Sequence, residues 1–300
     1  MFKSGFVAIV GRANVGKSTL LNSLLGQKLS IVTDKAQTTR QKILGVLNGE
    51  DYQIVFADTP GMHKPKTKLD DYMVDVIKDT MAEMDLILMM VDGSTGFGPG
   101  DEFMIKALPS SIPKILLINK IDLKNVDVEG IKAQAESMAD FSEVLAISAV
   151  EGVTTAGMVE TILKYLPEGP QYYEEDQWTN INEKELVSEM IREKSLQYLD
   201  KEVPHGIAVL VDSFEDSDML RIEATIIVEK ESHKGIVIGK GGRKLKGIGQ
   251  EVRKELEFMY DKKVFLELWV KVKPNWRNKA GSLQDFGYKR WGSLRRKLSS

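Results

Sequence analysis

Short apolar runs punctuate the first half of the chain, and the stretches between them carry a helical period. The runs Phe6–Val10, Tyr52–Ala57, Leu86–Val91, Ile115–Ile118 and Val144–Ile147 predict strands. The spacing between them predicts helices over Ser18–Gly26, Leu69–Glu83, Asp101–Ala107, Val128–Asp140 and Gly157–Leu166. Strands alternating with helices imply an α/β fold with a doubly wound, mostly parallel sheet, whose ligands sit beyond the carboxyl ends of the strands.

The rhythm changes at Pro167-Glu168-Gly169-Pro170. An acidic, aromatic stretch, Gln171–Trp178, reads as a linker. A helix follows over Glu183–Leu199, with Leu186, Val187, Met190 and Ile191 on one face. Strands are predicted at Gly206–Asp212 and Arg221–Glu229, then a glycine-rich run from Gly235 to Gly249, a helical pattern to about Met259 and a last strand at Val264–Val272. The element order is α-β-β-α-α-β, an α+β unit. The expected division is 1–168, a linker 169–182, a second domain 183–275 and a basic tail 276–300.

The chemistry gathers where the first unit's strands end. Gly11-Arg12-Ala13-Asn14-Val15-Gly16-Lys17-Ser18 fits G-x-x-x-x-G-K-[ST], after an apolar strand and before an amphipathic helix that starts at Thr19. In that context the loop N–H groups cradle phosphates, Lys17 reaches the β- and γ-phosphates, and the Ser18 hydroxyl ligates Mg²⁺. Asp58-Thr59-Pro60-Gly61 follows the next strand candidate. Its aspartate can hold Mg²⁺ through water, and the Gly61 N–H can approach a γ-phosphate. Asn119-Lys120-Ile121-Asp122 follows a further strand. A carboxylate there can accept both guanine N1–H and N2–H₂, a pair that adenine lacks. Ser148-Ala149 could offer backbone N–H groups to guanine O6. Gln37-Thr38-Thr39-Arg40-Gln41 lies in a stretch with little apolar periodicity, and one of its threonines would complete the Mg²⁺ shell. Spacing leaves Thr38 and Thr39 both open, and Thr39 is taken as the ligand.

These motifs, in this order, resemble the Ras-like GTPases. The expected ligands are GTP or GDP with Mg²⁺ on Ser18, Thr39 and Asp58, and Lys17 and Thr39 are the candidate catalytic residues. Where Ras carries the glutamine that orients the attacking water, this chain has Met62, so slow intrinsic hydrolysis is expected. The second domain contains I-V-I-G-K-G-G-R-K-L-K-G-I-G, similar to the nucleic-acid loop of type II KH domains. There Gly239, Gly241 and Gly242 would let about four nucleotides pass close while Lys240, Arg243 and Lys246 meet phosphates. Ile236, Val237, Ile238 and Ile248 would line a base-stacking groove. Lys273 and an exposed Trp276 would extend that surface.

A Ras-like domain followed by one KH domain resembles the Era family of bacterial GTPases. The resemblance implies binding of the 3′ end of 16S ribosomal RNA, a role in 30S subunit assembly, RNA binding gated by the nucleotide, and peripheral association with the inner face of the cell membrane. It also makes Asn14 a candidate K⁺ ligand, catalytic in the place of an arginine finger.

Charge sharpens the picture. The formal net charge of −3 conceals residues 171–229, with 5 basic against 15 acidic, and residues 230–300, with 19 basic against 7 acidic. A basic last quarter points to nucleic acid or an anionic membrane for that part alone. Its end, Tyr288–Leu298, mixes cations with aromatic and apolar residues; a single strand, a membrane surface and a frayed tail all remain open for it. Cysteine is absent, which excludes disulfides and thiolate metal sites. The first strand candidate starts too early for a signal peptide. The longest apolar run, Leu86–Val91, is far below the roughly 20 residues of a membrane span. A cytoplasmic monomer is expected. Two other readings stay open: an RNA-binding module with a largely structural nucleotide domain, and a membrane-surface GTPase.

Overall fold

A computed structural model of the 300-residue chain describes residues 1–33, 35, 38–61, 65–151, 155–199 and 203–288. Three expectations, those for Gln37, for Met62 and for the tail from Lys289 onward, lie outside the described residues.

The first unit runs β1 (Lys3–Val10), α1 (Lys17–Leu25), β2 (Ile43–Gly49), β3 (Tyr52–Asp58), α2 (Lys68–Met81), β4 (Leu86–Asp92), α3 (Pro99–Ala107), β5 (Lys114–Asn119), α4 (Val128–Glu136), β6 (Glu143–Ala146) and α5 (Thr155–Tyr165). Its sheet has the order β2-β3-β1-β4-β5-β6, with β2 antiparallel to β3 and the other pairs parallel. Helices cover both faces, so β4 is buried along its whole length and reads as one apolar run. On one face, α2, α3 and α4 bury Ile77, Met104 and Ile131. On the other, α1 and α5 bury Leu20, Leu24 and Ile162.

The strand β2 has no counterpart among the strands expected from the sequence. Its apolar run is broken by Gly45, and it pairs by a tight hairpin to β3 rather than through a helical crossover. The stretch expected as a linker is a strap along the outer edge of β2. Val46 N–H donates to the Trp178 carbonyl at 2.9 Å, and the Thr179 hydroxyl donates to the Leu44 carbonyl at 2.8 Å. Buried Gln53 accepts from the N–H groups of Tyr172 (2.7 Å) and Tyr173 (3.0 Å) and donates to the Tyr173 carbonyl (2.9 Å). An exposed sheet edge is thereby satisfied from within the chain.

The second unit runs α6 (Glu183–Tyr198), β7 (Ala208–Asp216), β8 (Leu220–Val228), α7 (Glu231–Ile238), α8 (Arg243–Tyr260), β9 (Val264–Val272) and α9 (Ala280–Asp285). Asn182 opens α6 with a capping box: its side chain accepts from Glu185 N–H while Glu185 accepts from Asn182 N–H. The sheet order is β7-β8-β9, antiparallel and then parallel. A separate core lies under it, with Ile191, Ile226, Val252 and Leu256 among its members.

The two units share a fourth cluster. Leu69, Tyr72, Met73 and Val76 of α2 pack against Ala208, Ile227, Trp276, Leu283, Phe286 and Tyr288. Residues 276–288, expected as part of a tail, are therefore interface structure.

Candidate functional site

β1 feeds directly into the phosphate loop. Gly16 has φ 106°, and a Cβ there would collide with the Asn119 amide, so the loop turns only with glycine. Lys17 opens α1, and its ammonium folds back to donate to the carbonyls of Gly11 (3.0 Å) and Arg12 (2.8 Å). Burial pushes this ammonium down to about 8, against the opposing pull of Asp58. A polyanion beside it would raise it again. A cavity of about 460 Å³ lies over the loop. Ala13, Asn14, Gly16, Lys17, Ser18 and Thr19 line it from the loop, and Asn14 sits exposed in left-handed backbone. Thr39, Gly61 and Lys120 complete the expected lining.

At one end, three oxygens converge. Ser18 Oγ lies 2.8 Å from Asp58 Oδ2 and 3.1 Å from Thr39 Oγ1, and the Thr39 hydroxyl donates to Asp58 Oδ2 at 3.2 Å. Asp58 Oδ1 is buried with no hydrogen-bond donor among the described residues. This hard-oxygen set with one carboxylate fits Mg²⁺, which keeps waters and takes its remaining ligands from phosphates. Burial raises the Asp58 carboxyl, with Lys17 and the hydroxyls working against it. Thr38 also lines the cavity, but its hydroxyl is outside this cluster: it donates to the Lys35 carbonyl at 2.6 Å and lies 3.0 Å from Thr33 Oγ1. Gly61 approaches the phosphate loop so closely that a Cβ would lie 2.7 Å from Ala13 Cα.

At the other end, the structure redistributes expected roles. Asn119 is buried, and both ends of its amide are engaged. Nδ2 donates to the Val15 carbonyl at 2.7 Å, and Oδ1 accepts from Ala149 N–H at 2.9 Å. It is a strut between the phosphate loop and the Ser148-Ala149 loop, and the Ala149 N–H expected for guanine O6 is spent on it. Ser148 Oγ accepts from Glu151 N–H at 3.3 Å. Lys120 pairs with Asp92 at 2.6 Å, and Asp122 is exposed. Three expected nucleotide residues point their side chains elsewhere. Arg12 pairs with buried Asp101 at 3.2 Å, Val15 is core, and Thr59 donates to the Ile9 carbonyl at 2.9 Å, with Pro60 buried beside it. Sequence reasoning missed Ile31, Val32 and Thr33 on the cavity wall. They carry no motif and reach the cavity only because the chain after α1 folds back over it.

In the second unit, α7 ends at Ile238, and one 3-10 turn, Lys240–Gly242, leads into α8. Lys240, Gly241, Arg243 and Lys246 are exposed on this turn and the first part of α8. A shallow cavity of about 380 Å³ continues from Gly242 between α8 and β9, lined by Leu245, Lys246, Gly249, Gln250, Arg253, Leu266 and Leu268. Four expectations are corrected here. Val237 and Ile248 are fully buried core residues. Lys273 lies outside the groove, pairing with Asp285 at 3.0 Å above the Phe286 ring. Trp276 has no exposed surface: its indole N–H donates to the Gly206 carbonyl at 2.9 Å, and its ring stacks on Tyr288 with centroids 5.9 Å apart. Lys271 and Lys279 beside it are exposed and Arg277 pairs with Glu229 at 2.6 Å, while Trp276 itself fills the junction between the units.

Comparison with known proteins agrees with both halves. Residues 6–120 match a family described as 50S ribosome-binding GTPase, and residues 202–277 match the KH domain. The chain is 50% identical over 292 residues to GTPase Era of Alkaliphilus metalliredigens (strain QYMF), covering 96% of this chain and 99% of that protein. GTPase Era of Alkaliphilus oremlandii (strain OhILAs) matches to the same extent. Among solved structures, Era in complex with MgGDPNP and nucleotides 1506-1542 of 16S ribosomal RNA superposes with a TM-score of 0.93 at 42% identity, covering 97% of this chain and 100% of that one. A variant of Aquifex aeolicus Era bound to GDP.AlF4⁻ superposes with a TM-score of 0.92 at 42% identity, covering 96% and 100%. A phosphate loop with a converging hydroxyl–carboxylate cluster, a KH groove after it and these relatives lead to one conclusion: the chain belongs to the Era family of GTPases.

Proposed function

We propose that this GTPase binds the 3′ region of 16S ribosomal RNA and acts in 30S subunit assembly, with RNA affinity set by the bound nucleotide. The observation that carries the reading is the convergence of Ser18, Thr39 and Asp58 over a phosphate loop, in a chain whose α8–β9 groove is open to a single strand. The Era crystal structure with MgGDPNP and an rRNA segment supports both ligands.

In this reading Lys17 and the loop N–H groups hold the phosphates. Ser18 and Thr39 ligate Mg²⁺ directly, and Asp58 does so through water. Mg²⁺ supplies charge neutralisation on the transferring phosphoryl group. Asp122 accepts from guanine, and Asn119 and Lys120 shape its pocket. In the same reading Asn14, exposed on the cavity wall, takes the role of K⁺ ligand. Gly239–Arg243 and Lys246 meet the RNA backbone, and bases lie along Leu245, Gly249 and Leu268. Because the partner is ribosomal RNA, the site of action is the cytoplasm. No helix among the described residues is long and apolar enough to cross a membrane. A peripheral membrane contact would rest on the cations of residues 289–300.

The test is fluorescence anisotropy of a labelled oligonucleotide from the 16S 3′ end against a scrambled control, at fixed salt. GDP is compared with a non-hydrolysable GTP analogue. Binding that prefers the native sequence and strengthens with the analogue is expected, because linkage makes each ligand raise the other's affinity. Equal affinities for both nucleotides would remove the gating, and equal affinities for both oligonucleotides would remove the rRNA assignment.

A further inference from the structure

Of the segment from Lys28 to Arg40, residues 28–33 and 38–40 reach the second unit on either side of the Ser18–Thr39–Asp58 cluster. On the early side, the Lys28 ammonium lies 2.5 Å from Glu193 and 3.0 Å from Glu255. The other oxygen of Glu193 accepts from Val32 N–H at 3.0 Å. On the late side, Arg192 donates to the Thr38 carbonyl while Glu189 grips its guanidinium at 2.5 Å. Arg40 donates to the Ile207 carbonyl, to the His205 carbonyl at 3.0 Å and to the Tyr288 hydroxyl at 3.3 Å. Its guanidinium lies 5.9 Å from the centroid of the Trp276 ring. Thr39 stands between these anchors with its hydroxyl on Asp58.

We propose that Arg192 and Arg40 are positioning residues of the nucleotide site: docked on the second unit, they hold Thr39 in place for Mg²⁺ and the γ-phosphate.

The geometry supports function as well as cohesion. Arg192, Arg40 and Glu193 are each at most 2% exposed, so their bonds to Thr38, Ile207 and Val32 are largely shielded from water while the units stay docked. The partners are α6, the segment entering β7, and residues after β9, all outside the nucleotide-binding unit. Two guanidinium groups also share one dry junction, with Glu189 on Arg192. Burial, opposed by Tyr288 and reinforced by Arg192, pushes the Arg40 guanidinium below its ordinary value. An arginine stays charged under such pressure, so the docked arrangement carries a desolvation cost that undocking would release. A γ-phosphate that draws on Thr39 would then favour the docked arrangement over the undocked one.

The inference rests on the nucleotide site assigned above. Its test uses the full chain without RNA. Calorimetry would give dissociation constants for GDP and for a non-hydrolysable GTP analogue, both with Mg²⁺, in wild type, Arg192→Ala, Arg192→Lys and Arg40→Lys. Loss of one charge-assisted bond to Thr38 should weaken the analogue about tenfold in Arg192→Ala and leave GDP within about twofold. Arg192→Lys, which keeps a donor for the Thr38 carbonyl, should recover most of the loss. Arg40→Lys keeps the charge and loses the fork, and should shift the same ratio in the same direction. Should Arg192→Ala fail to melt cooperatively, Arg40→Lys decides. An unchanged ratio, an equal loss for both nucleotides, or tighter analogue binding would each overturn the positioning role. Wild type that binds neither nucleotide would instead overturn the GTPase reading itself.

Discussion

Trp276 shows how a single residue can be misread from its neighbours. Lys271, Lys273, Arg277 and Lys279 surround it in sequence, and that company suggested a stacking surface for RNA. Which way a side chain faces depends on what lies opposite, and here α2 and the segment around Gly206 lie opposite. Trp276→Ala should destabilise the protein by about 3–5 kcal/mol, the usual cost of removing a buried large aromatic. Urea denaturation of the full chain checks this, and a loss under about 1 kcal/mol would mean that the junction refills or is not formed. The residues of the phosphate loop were legible because a fixed chemical task imposes fixed residue types at fixed spacing. Asn119 was legible as a site residue but not as a strut, since only the fold shows both ends of its amide already bonded.

Most elements could be read from periodicity, because parallel strands covered on both faces leave unbroken apolar runs. β2 could not. Gly45 interrupts it, and its pairing with β3 comes from a hairpin that has no place in a strand–helix alternation. The strap over 171–182 was equally hidden: its acidic composition is that of a linker, and its ties pair backbone groups with one another and with the Gln53 and Thr179 side chains, partners that sequence does not display. Gln53 is the test of the strap. Gln53→Leu keeps the bulk but leaves the N–H groups of Tyr172 and Tyr173 without their acceptor, at a cost of about 1–3 kcal/mol for each group that stays buried. Melting temperature should fall, and hydrogen exchange at those two amides should quicken; unchanged exchange would show that another group holds the strap. From Gly242 at its start, the residues of α8 that line the groove, Leu245, Lys246, Gly249, Gln250 and Arg253, recur at helical spacing. That period was visible, but nothing in it says which face meets β9.

At the scale of the molecule, ion pairs and the cluster around Trp276 join the two units, and the pairs give their junction a pH signature. Burial alone would raise the Glu255 carboxyl, yet the ammonium groups of Lys194 and Lys28 outweigh it and hold it below its ordinary value. Lys28, disfavoured by burial, is raised in turn by Glu193 and Glu255. A carboxylate depressed in the folded state stabilises above its unfolded value, and that contribution is lost as pH falls from 4.5 through the lower folded value. A raised lysine stabilises below 10.5 and loses that contribution at higher pH. Wild type should therefore melt above Glu255→Gln at neutral pH, with the gap closing as pH falls below 4.5. A gap that persists in acid would show that Glu255 acts through packing rather than charge.

The sequence by itself determined the phosphate loop, the order of most elements and the KH loop, because each rests on local constraints: a turn that needs glycine, a lysine and a hydroxyl at fixed spacing, a period that must bury one face. Only the tertiary structure decided that Trp276 is core, that the linker is a strap, and that the segment carrying Thr39 is anchored on the second unit. Those facts rest on contacts such as Arg192 with Thr38 and Arg40 with Ile207, more than 150 residues apart. No local pattern in the chain encodes which distant groups will meet, since that is settled by packing two separately folded surfaces against each other.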